Sequence, residues 1–333
     1  MAAKSASSGK SVLACLGLVV GLICAFTSAG SSQAQSPLRT WADTPARTAI
    51  IAFVERVTTP GSPAFVPPEE RIATFGMDGT VIAEKPVNIE KLIAMAQVCV
   101  LGTNEPQRKD WPPFRQACAA DHGHFPGLTG SQTLRDLLSG QTEAAYWKYV
   151  GSYLKLARHP ELNRKVGDLV YAPMQELARY LQENGFRLFL VSGSTQPLVR
   201  EIAARHFSLP GGHGIGAEWP LEFVAEPGPR SEPVFRWKPG SRNLPSVYGA
   251  GKALAILRQI GRPPIFAAGN TMGDLEMLQF ATKRRGPGIG IVIVHDDAER
   301  EYAYSDQRFE AAAERNGWTL VSMKKDFRVV FAD

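Results

Sequence analysis

Residues 71–81 read RIATFGMDGTV, and this stretch decides the fold class of the chain. Its first part, residues 72–75, is mostly apolar and β-compatible, as expected of a buried strand. Asp78-Gly79 is a turn dipeptide that ends the strand and leaves a carboxylate at its carboxyl end. In an open α/β sheet, ligands bind at that edge. By itself the stretch fits an ordinary strand-to-helix turn as well as an active-site loop. The choice between the two depends on motifs elsewhere in the chain.

The bulk composition is that of an ordinary globular protein. The chain has 333 residues, 44% of them hydrophobic, and a formal net charge of +5. This length allows one large domain with an insertion, or two domains. Lys and Arg are scattered, and the only tight basic cluster is Lys283-Arg284-Arg285. Since no basic helix with interleaved aromatic residues and no nucleic-acid-binding motif is found, we expect no nucleic-acid partner.

The amino terminus is typical of a secretory signal. Lys4 and Lys10 precede an apolar run over residues 12–26, and small and polar residues follow up to Ala34. The run is shorter than the ~20 residues that span a bilayer, so a retained anchor is the weaker alternative. We therefore expect a signal peptide over residues 1–34, export to the periplasm, and no stable membrane anchor after cleavage.

Four cysteines divide between the predicted signal and the mature chain. Cys15 and Cys24 fall in the signal, which leaves Cys99 and Cys118. In an exported protein this pair permits one disulfide, and two buried free thiols are the alternative. The spacing of Cys118 with the histidines at 122 and 124 lacks a fourth metal ligand, so a polar loop is expected there.

Helical and strand patterns alternate along the chain after residue 47. Helices are predicted at 48–57, 87–100, 131–139, 142–158, 173–184, 197–206, 250–260, 273–281 and 309–316. Strands are predicted at 72–75, 187–191, 215–219, 221–225, 264–268, 289–295, 318–323 and 327–331, with a loop at 102–130 and a helical turn at 297–303. This alternation implies βαβ crossovers. We therefore expect a three-layer α/β/α (Rossmann-like) fold around a mostly parallel sheet.

Polar residues follow several of the predicted strands in a fixed order. In chain order they are Asp78, Ser192, Lys252, Asn270 and Asp274. The set resembles the motifs of haloacid dehalogenase superfamily phosphatases, which are an Asp-x-Asp-Gly-Thr turn, a Ser or Thr, a Lys and a late acidic loop. Within the superfamily, the chain is most similar to the phosphoserine-phosphatase-like branch.

The resemblance implies both a domain organisation and an activity. A core domain would comprise residues 71–85 and 165–333, with a helical cap inserted at 86–164 and an N-terminal leader at 35–70. The implied activity is Mg²⁺-dependent hydrolysis of a small-molecule phosphate monoester. In this chemistry an aspartate attacks phosphorus, a second aspartate transfers protons, and magnesium with a lysine neutralises the phosphoryl oxygens.

The resemblance also implies a role for each motif residue. Asp78 matches the catalytic acid/base, and Asp78 with Asp274 would bind magnesium. Lys252 matches the catalytic cation. The groups expected to bind phosphate are Gly79, Thr80, Ser192, Gly193, Lys252 and Asn270.

Two positions depart from the family pattern. Gly76 stands where the nucleophilic aspartate is expected, and glycine can neither attack phosphorus nor offer magnesium a side-chain oxygen. Met272 stands where an acid is expected, and thioether sulfur is a poor ligand for a hard cation. Two functions therefore stay open. One is a phosphatase with impaired or lost turnover, including direct water attack assisted by Asp78, and the other is a non-catalytic exported phosphate- or phosphoester-binding protein.

Each motif residue also has an ordinary structural explanation. Ser194 or Thr195 could cap the following helix. Lys252 could be solvated at a helix start, and Asp274 could cap the first turn of its helix. For the run His295-Asp296-Asp297 we expect a capping loop rather than a metal cluster.

Overall fold

In the computed structural model of the chain, the described residues are 37–332 apart from 105, 106, 108, 109, 122, 126–135, 137, 226–233 and 241–245. The predicted signal, the residue His122 and most of the predicted helix at 131–139 lie outside these ranges. Export therefore stays a prediction from the sequence. Among the helices in the described ranges, none combines the length and apolar character that a membrane crossing requires.

The strands form one large sheet and one small hairpin. Their bounds are β1 (Ile72–Gly76), β2 (Arg187–Thr195), β3 (Gly214–Ala217), β4 (Leu221–Val224), β5 (Val234–Trp237), β6 (Phe266–Gly269), β7 (Ile289–Val294) and β8 (Thr319–Ser322). Six of them form a fully parallel sheet in the order β3-β2-β1-β6-β7-β8. β4 and β5 pair antiparallel outside it. The predicted fold class is confirmed, with β1 between β2 and β6 in the sheet.

Helices cover both faces of this sheet. Their bounds are α1 (Pro45–Thr58), α2 (Ile89–Asn104), α3 (Phe114–Cys118), α4 (Glu143–Leu156), α5 (Ala172–Glu183), α6 (Gln196–Phe207), α7 (Ala250–Ile260), α8 (Leu275–Thr282), α9 (Gln307–Asn316) and α10 (Met323–Asp326). Side chains of β1 alternate between two buried clusters, because successive residues of a strand point to opposite faces. Ala73 and Phe75 pack in the cluster that includes α1, α5 and α6. Ile72 packs in the cluster that includes α7, α8 and α9.

The segment before β1 packs on the sheet. Trp41 and Ile50 are fully buried in the same cluster as Phe75, and Phe53 packs edge-on against Phe266 at 6.2 Å between ring centroids. The Trp41 indole N–H donates a hydrogen bond of 2.9 Å to the Pro173 carbonyl. The predicted leader thus contributes directly to the core, while the predicted domain boundaries stay predictions.

Helices α2, α3 and α4 occupy the residues that the sequence assigns to a cap. A disulfide joins Cys99 on α2 to Cys118 on α3, which confirms the predicted pairing. The helix α3 lies where the sequence predicted only loop. It is five residues long, too short for helical periodicity to stand out against its Pro- and Gly-rich surroundings.

The carboxyl half of the chain contains three further differences from the sequence prediction. Strand β2 continues to Thr195 instead of ending at residue 191, because a register shift against β3 allows pairing to resume at Thr195 and Ala217. Helix α10 begins at Met323, where the sequence predicted the last residue of a strand. The helical turn predicted at 297–303 is present, since the Glu301 backbone N–H donates to the Asp297 carbonyl at 3.1 Å. Strand β5 was not predicted at all.

The last predicted strand, at residues 327–331, is absent from the described chain. Phe327 and Phe331 form only isolated bridges, with Trp41 and Tyr171 respectively. Both aromatic rings are held by other rings, at centroid distances of 5.0 Å for Trp41–Phe327 and 5.7 Å for Tyr171–Phe331. The apolar pattern that suggested a strand therefore reflects aromatic packing against the core.

Candidate active site

The carboxyl ends of β1, β2 and β6 surround a cavity of about 410 Å³. Among the predicted site residues, Asp78, Gly193, Asn270 and Asp274 line it, and Ser192 is hydrogen-bonded to Asp78. Two acidic residues that were not predicted, Glu84 and Glu90, also line it. We refer to this space as the Asp78 cavity.

Asp78 is held by two serine hydroxyls from the end of β2. Ser192 Oγ donates to Asp78 Oδ2 at 2.9 Å, and Ser194 Oγ donates to the same oxygen at 3.1 Å. The other oxygen, Oδ1, is buried and has no hydrogen-bond partner among the described residues. Burial raises the pKa of Asp78, and the nearby Glu84 carboxylate raises it further. Ser194 therefore serves the site through Asp78, and no side-chain cap hydrogen bond is made at the start of α6.

The space beside Gly76 is filled by a different side chain. A Cβ atom at Gly76 would lie 2.6 Å from Thr80 Oγ1 and 3.2 Å from Asp274 Oδ1. Thr80 is fully buried, and its hydroxyl donates to Asn270 Oδ1 at 3.1 Å. A carboxylate at position 76 would therefore require Thr80 to move.

Lys252 and Asp274 form a buried ion pair. Lys252 Nζ lies 2.5 Å from Asp274 Oδ1. Asp274 Oδ2 accepts the backbone N–H groups of Asn270, at 3.0 Å, and Thr271, at 3.4 Å. Lys252 is therefore not a solvated surface lysine, and Asp274 caps a helical turn in addition to pairing with it. Both carboxylate oxygens of Asp274 are engaged.

The side chains present do not fit a magnesium ion held by the protein. Magnesium prefers an octahedral set of hard oxygen ligands. Of the two predicted ligands, Asp78 has one oxygen without a hydrogen-bond partner, whereas both oxygens of Asp274 already accept hydrogen bonds, and Gly76 and Met272 supply no carboxylate. Within the described ranges, no group of three or more His, Cys, Asp or Glu side chains could hold a metal ion.

A buried histidine fixes the loop that carries Asp78. His295 Nε2 lies 2.7 Å from the Gly79 carbonyl oxygen, and because a carbonyl can only accept, this nitrogen carries the proton. His295 Nδ1 lies 3.2 Å from Glu301 Oε2, and Glu301 Oε1 accepts the Tyr171 hydroxyl at 2.8 Å. Gly79 has φ +70°, a backbone conformation that favours glycine, and a Cβ there would overlap Asn270.

A second network joins the same loop to the late motif. The Tyr304 ring stacks on His295 at 4.2 Å between centroids, and its hydroxyl donates to Glu84 Oε1 at 2.5 Å. Asn270 Nδ2 donates to the same oxygen at 2.9 Å. The predicted capping loop after β7 is also confirmed, since Asp297 Oδ1 accepts two backbone N–H groups of the following turn.

Glu90 is a buried acid on the predicted cap helix α2. Its Oε1 accepts the Thr195 backbone N–H at 2.6 Å, which ties α2 to the end of β2. Burial, reinforced by the nearby Asp78, raises the pKa of Glu90 to about 8 in spite of this hydrogen bond. Glu90 is therefore mostly protonated at neutral pH.

Comparison with known proteins identifies the family. A family model described as haloacid dehalogenase-like hydrolase matches residues 73–279, which is more than half of the chain. The chain belongs to this hydrolase family. The resemblance stated from the motifs is thus confirmed at the level of the family. No curated protein matches the chain.

Solved structures similar to this haloacid dehalogenase-like hydrolase come from several bacteria. A conserved protein of unknown function from Anaerococcus prevotii DSM 20548 is 15% identical, with a TM-score of 0.52, and the match covers 83% of this chain and 91% of that one. A protein of unknown function from Bordetella pertussis Tohama I is 14% identical, with a TM-score of 0.48 and coverage of 76% and 98%. A phosphoserine phosphohydrolase-like protein from Francisella tularensis subsp. tularensis SCHU S4 is 12% identical, with a TM-score of 0.40 and coverage of 77% and 95%. At such identities, the first match shows a shared fold alone.

The structure of this hydrolase brings the predicted site residues to one edge of the sheet. The set comprises Asp78, Gly79, Thr80, Ser192, Gly193, Lys252, Asn270 and Asp274. Sequence reasoning missed Glu84, Glu90, Glu301 and Tyr304. Glu90 carries a recognisable signal, because it is a single acid between Ile89 and Leu92 on a buried helix face.

Proposed function

We propose that this protein binds a small phosphate monoester in the Asp78 cavity and forms no aspartyl-phosphate. The observation that carries the proposal is the filling of the space beside Gly76 by the Thr80 hydroxyl. A covalent step needs a carboxylate at that point, and neither the residue nor the room for it is present. Binding does not need that carboxylate, and the loss of its negative charge favours an anionic ligand.

The protonation of the cavity also supports an anionic ligand. Asp78, Glu84, Glu90 and Asp274 line the cavity, which would repel phosphate if all four were charged and unpaired. Asp274 is neutralised by Lys252, and the pKa values of Asp78 and Glu90 are both raised. The cavity is therefore less negative than its composition suggests, and the uncharged residues Gly193 and Ser194 form part of its lining.

Slow hydrolysis by direct water attack is the second candidate function. The raised pKa of Asp78 favours it, because a carboxyl that titrates nearer neutrality transfers protons more effectively than an ordinary aspartate. In this scheme Asp78 takes a proton from the attacking water and returns one to the leaving oxygen. Its variant Asp78→Asn would lose the residual turnover and keep the binding.

Calorimetric binding of inorganic phosphate and hydrolysis of 4-nitrophenyl phosphate test the two functions. The natural protein is expected to bind phosphate and to hydrolyse 4-nitrophenyl phosphate slowly at most. Adding magnesium should not increase this rate, and mass spectrometry should detect no phosphoryl group on the protein. Ser194→Ala is expected to weaken binding, whereas Ser139→Ala, on an exposed part of the chain, serves as its control.

Robust magnesium-dependent turnover by the natural protein would overturn the proposal. The variant Gly76→Asp gives a second arm, in which a carboxylate is restored while Thr80 still occupies the adjacent space. We expect no gain of turnover from this change alone. Lack of phosphate binding by the natural protein would refute the binding function directly.

A further inference from the structure

A second cavity, also of about 410 Å³, lies beside the Asp78 cavity. We call it the indole pocket and define it by Thr195, Arg200, Ala217, Trp219, Leu221 and Trp237. The rings of Trp219 and Trp237 are 4.0 Å apart between centroids, and Tyr146 packs behind Trp237 at 4.4 Å. Both tryptophans are buried, so the pocket has firm aromatic walls.

The indole pocket has polar residues in its lining beside the aromatic walls, namely Glu143, Thr195, Gln196, Arg200 and Glu218. Arg200 and Glu143 lie at its edge, where Arg200 Nη1 is 3.5 Å from Glu143 Oε1, so that their charges offset each other. The Trp219 indole N–H is buried and has no acceptor among the described residues. Buried donors are normally satisfied in native structures, so we expect a ligand to supply an acceptor here, which the π face of an aromatic ring can be. A pocket of this size that combines aromatic walls with polar groups is typical of small-molecule sites.

The indole pocket adjoins the Asp78 cavity at the end of β3. Ala217 lines both cavities. Thr195, in the wall of the indole pocket, donates its backbone N–H to Glu90, in the wall of the Asp78 cavity. The two cavities therefore share part of their lining, and this adjacency is the geometric basis for a ligand that would occupy both.

We propose that the indole pocket binds the organic group of the phosphate ester and that this group is an aromatic ring. The inference rests on the proposed function and names its ligand class, an aryl phosphate. Aromatic walls favour a flat ring, because offset and edge-to-face contacts stabilise ring pairs beyond the burial of apolar area.

The test compares phenyl phosphate with inorganic phosphate by calorimetry and by quenching of tryptophan fluorescence. For the natural full-length chain, we expect phenyl phosphate to bind at least tenfold more tightly. Trp219→Leu and Trp237→Leu each remove one aromatic wall of the indole pocket, and neither residue lines the Asp78 cavity. Each is expected to reduce the preference to less than threefold and to leave the affinity for inorganic phosphate within threefold of the natural value.

Trp111→Leu is the matched control, because Trp111 is an exposed tryptophan that lines neither cavity. It removes one fluorophore and should keep the tenfold preference. Circular dichroism and thermal unfolding establish that each variant is folded. The two pocket variants change different residues, so either one alone can test the inference. Equal affinities of the natural protein for the two phosphates overturn this inference alone. Failure to bind either phosphate overturns the proposed function and the inference with it.

Discussion

Replacement of Gly76 by alanine measures how tightly the Thr80 side chain fills the space beside position 76. The new Cβ atom would lie 2.6 Å from Thr80 Oγ1, closer than a Cβ atom approaches another heavy atom, and 3.3 Å from Thr80 Cβ, which is a tight contact. Thr80 is β-branched and fully buried, so it can relieve the contact chiefly by turning about χ1. That rotation removes its hydrogen bond to Asn270.

The expected destabilisation follows from three contributions. Overpacking of a buried site costs about 1–3 kcal/mol. Loss of the Thr80–Asn270 hydrogen bond costs roughly 0.5–1.5 kcal/mol. Replacing glycine restricts the unfolded chain and returns about 0.4–1 kcal/mol. We therefore expect Gly76→Ala to lower the free energy of unfolding by about 0.5–4 kcal/mol. Gly76→Asp should lower it further, because its carboxylate would approach Asp274.

Urea unfolding of four proteins provides the measurement: the natural chain, Gly76→Ala, Thr80→Ala and the double variant. Removing the Thr80 hydroxyl removes the closest contact of the new methyl group. The double variant should therefore lose less free energy of unfolding than the two single variants lose together. The difference should be at least ~1 kcal/mol, a typical coupling energy for residues in contact. Additive effects, or a Gly76→Ala protein as stable as the natural one, would refute the account of Thr80 as the group that fills the site.

Three further changes test the buried charges and the disulfide. Because Glu90 titrates at about 8 in the folded protein and ordinarily at 4.5, the folded state holds an extra proton between these values and loses stability as pH rises through them. Unfolding of Glu90→Gln at pH 5, 7 and 9 should lack that loss, and parallel curves for both proteins would contradict it. Lys252→Met leaves Asp274 buried without its partner and should cost about 3–5 kcal/mol at pH 7, as measured by urea unfolding, while Asp274→Asn in the same protein should recover part of this. Cys99→Ser removes a covalent link that spans 19 residues and should lower the free energy of unfolding by about 3 kcal/mol. Non-reducing peptide mapping of the natural protein should recover the peptide that contains the Cys99–Cys118 disulfide.

Local patterns predicted the elements whose formation depends on local sequence. Helix α7 spans the residues predicted for it, because its apolar spacing is regular and Gly249 and Gly261 flank it with positive φ angles. β1 extends its prediction by one residue. The end of β2 was missed because Ser192, Gly193 and Ser194 carry no strand-like apolar pattern, and their pairing depends on β3.

The sequence predicted which motif residues form the site, but it did not predict the hydrogen bonds that join them to the surrounding residues. Motif residues meet because parallel strands bring their carboxyl ends to one edge of the sheet. The hydrogen bond between Glu90 and Thr195 joins residues 105 positions apart, and no periodicity specifies it. The filling of the space at Gly76 depends on the rotamer of Thr80. The sequence shows a glycine where the family motif has an aspartate, but it does not show which side chain occupies that space.

Because of the hydrogen bond from His295 to the Gly79 carbonyl, the loop after β1 reaches its final contacts only when a much later part of the chain has folded. The two residues are 216 positions apart, and His295, Glu301 and Tyr304 all lie beyond residue 279, where the family match ends. A chain that emerges from its amino terminus can pair β1 with β2 well before these residues are available. A fragment cut at the family boundary would therefore keep every motif residue and lack the clamp on the first motif. Such a fragment offers a way to separate the folding of the sheet from the maturation of its binding loop.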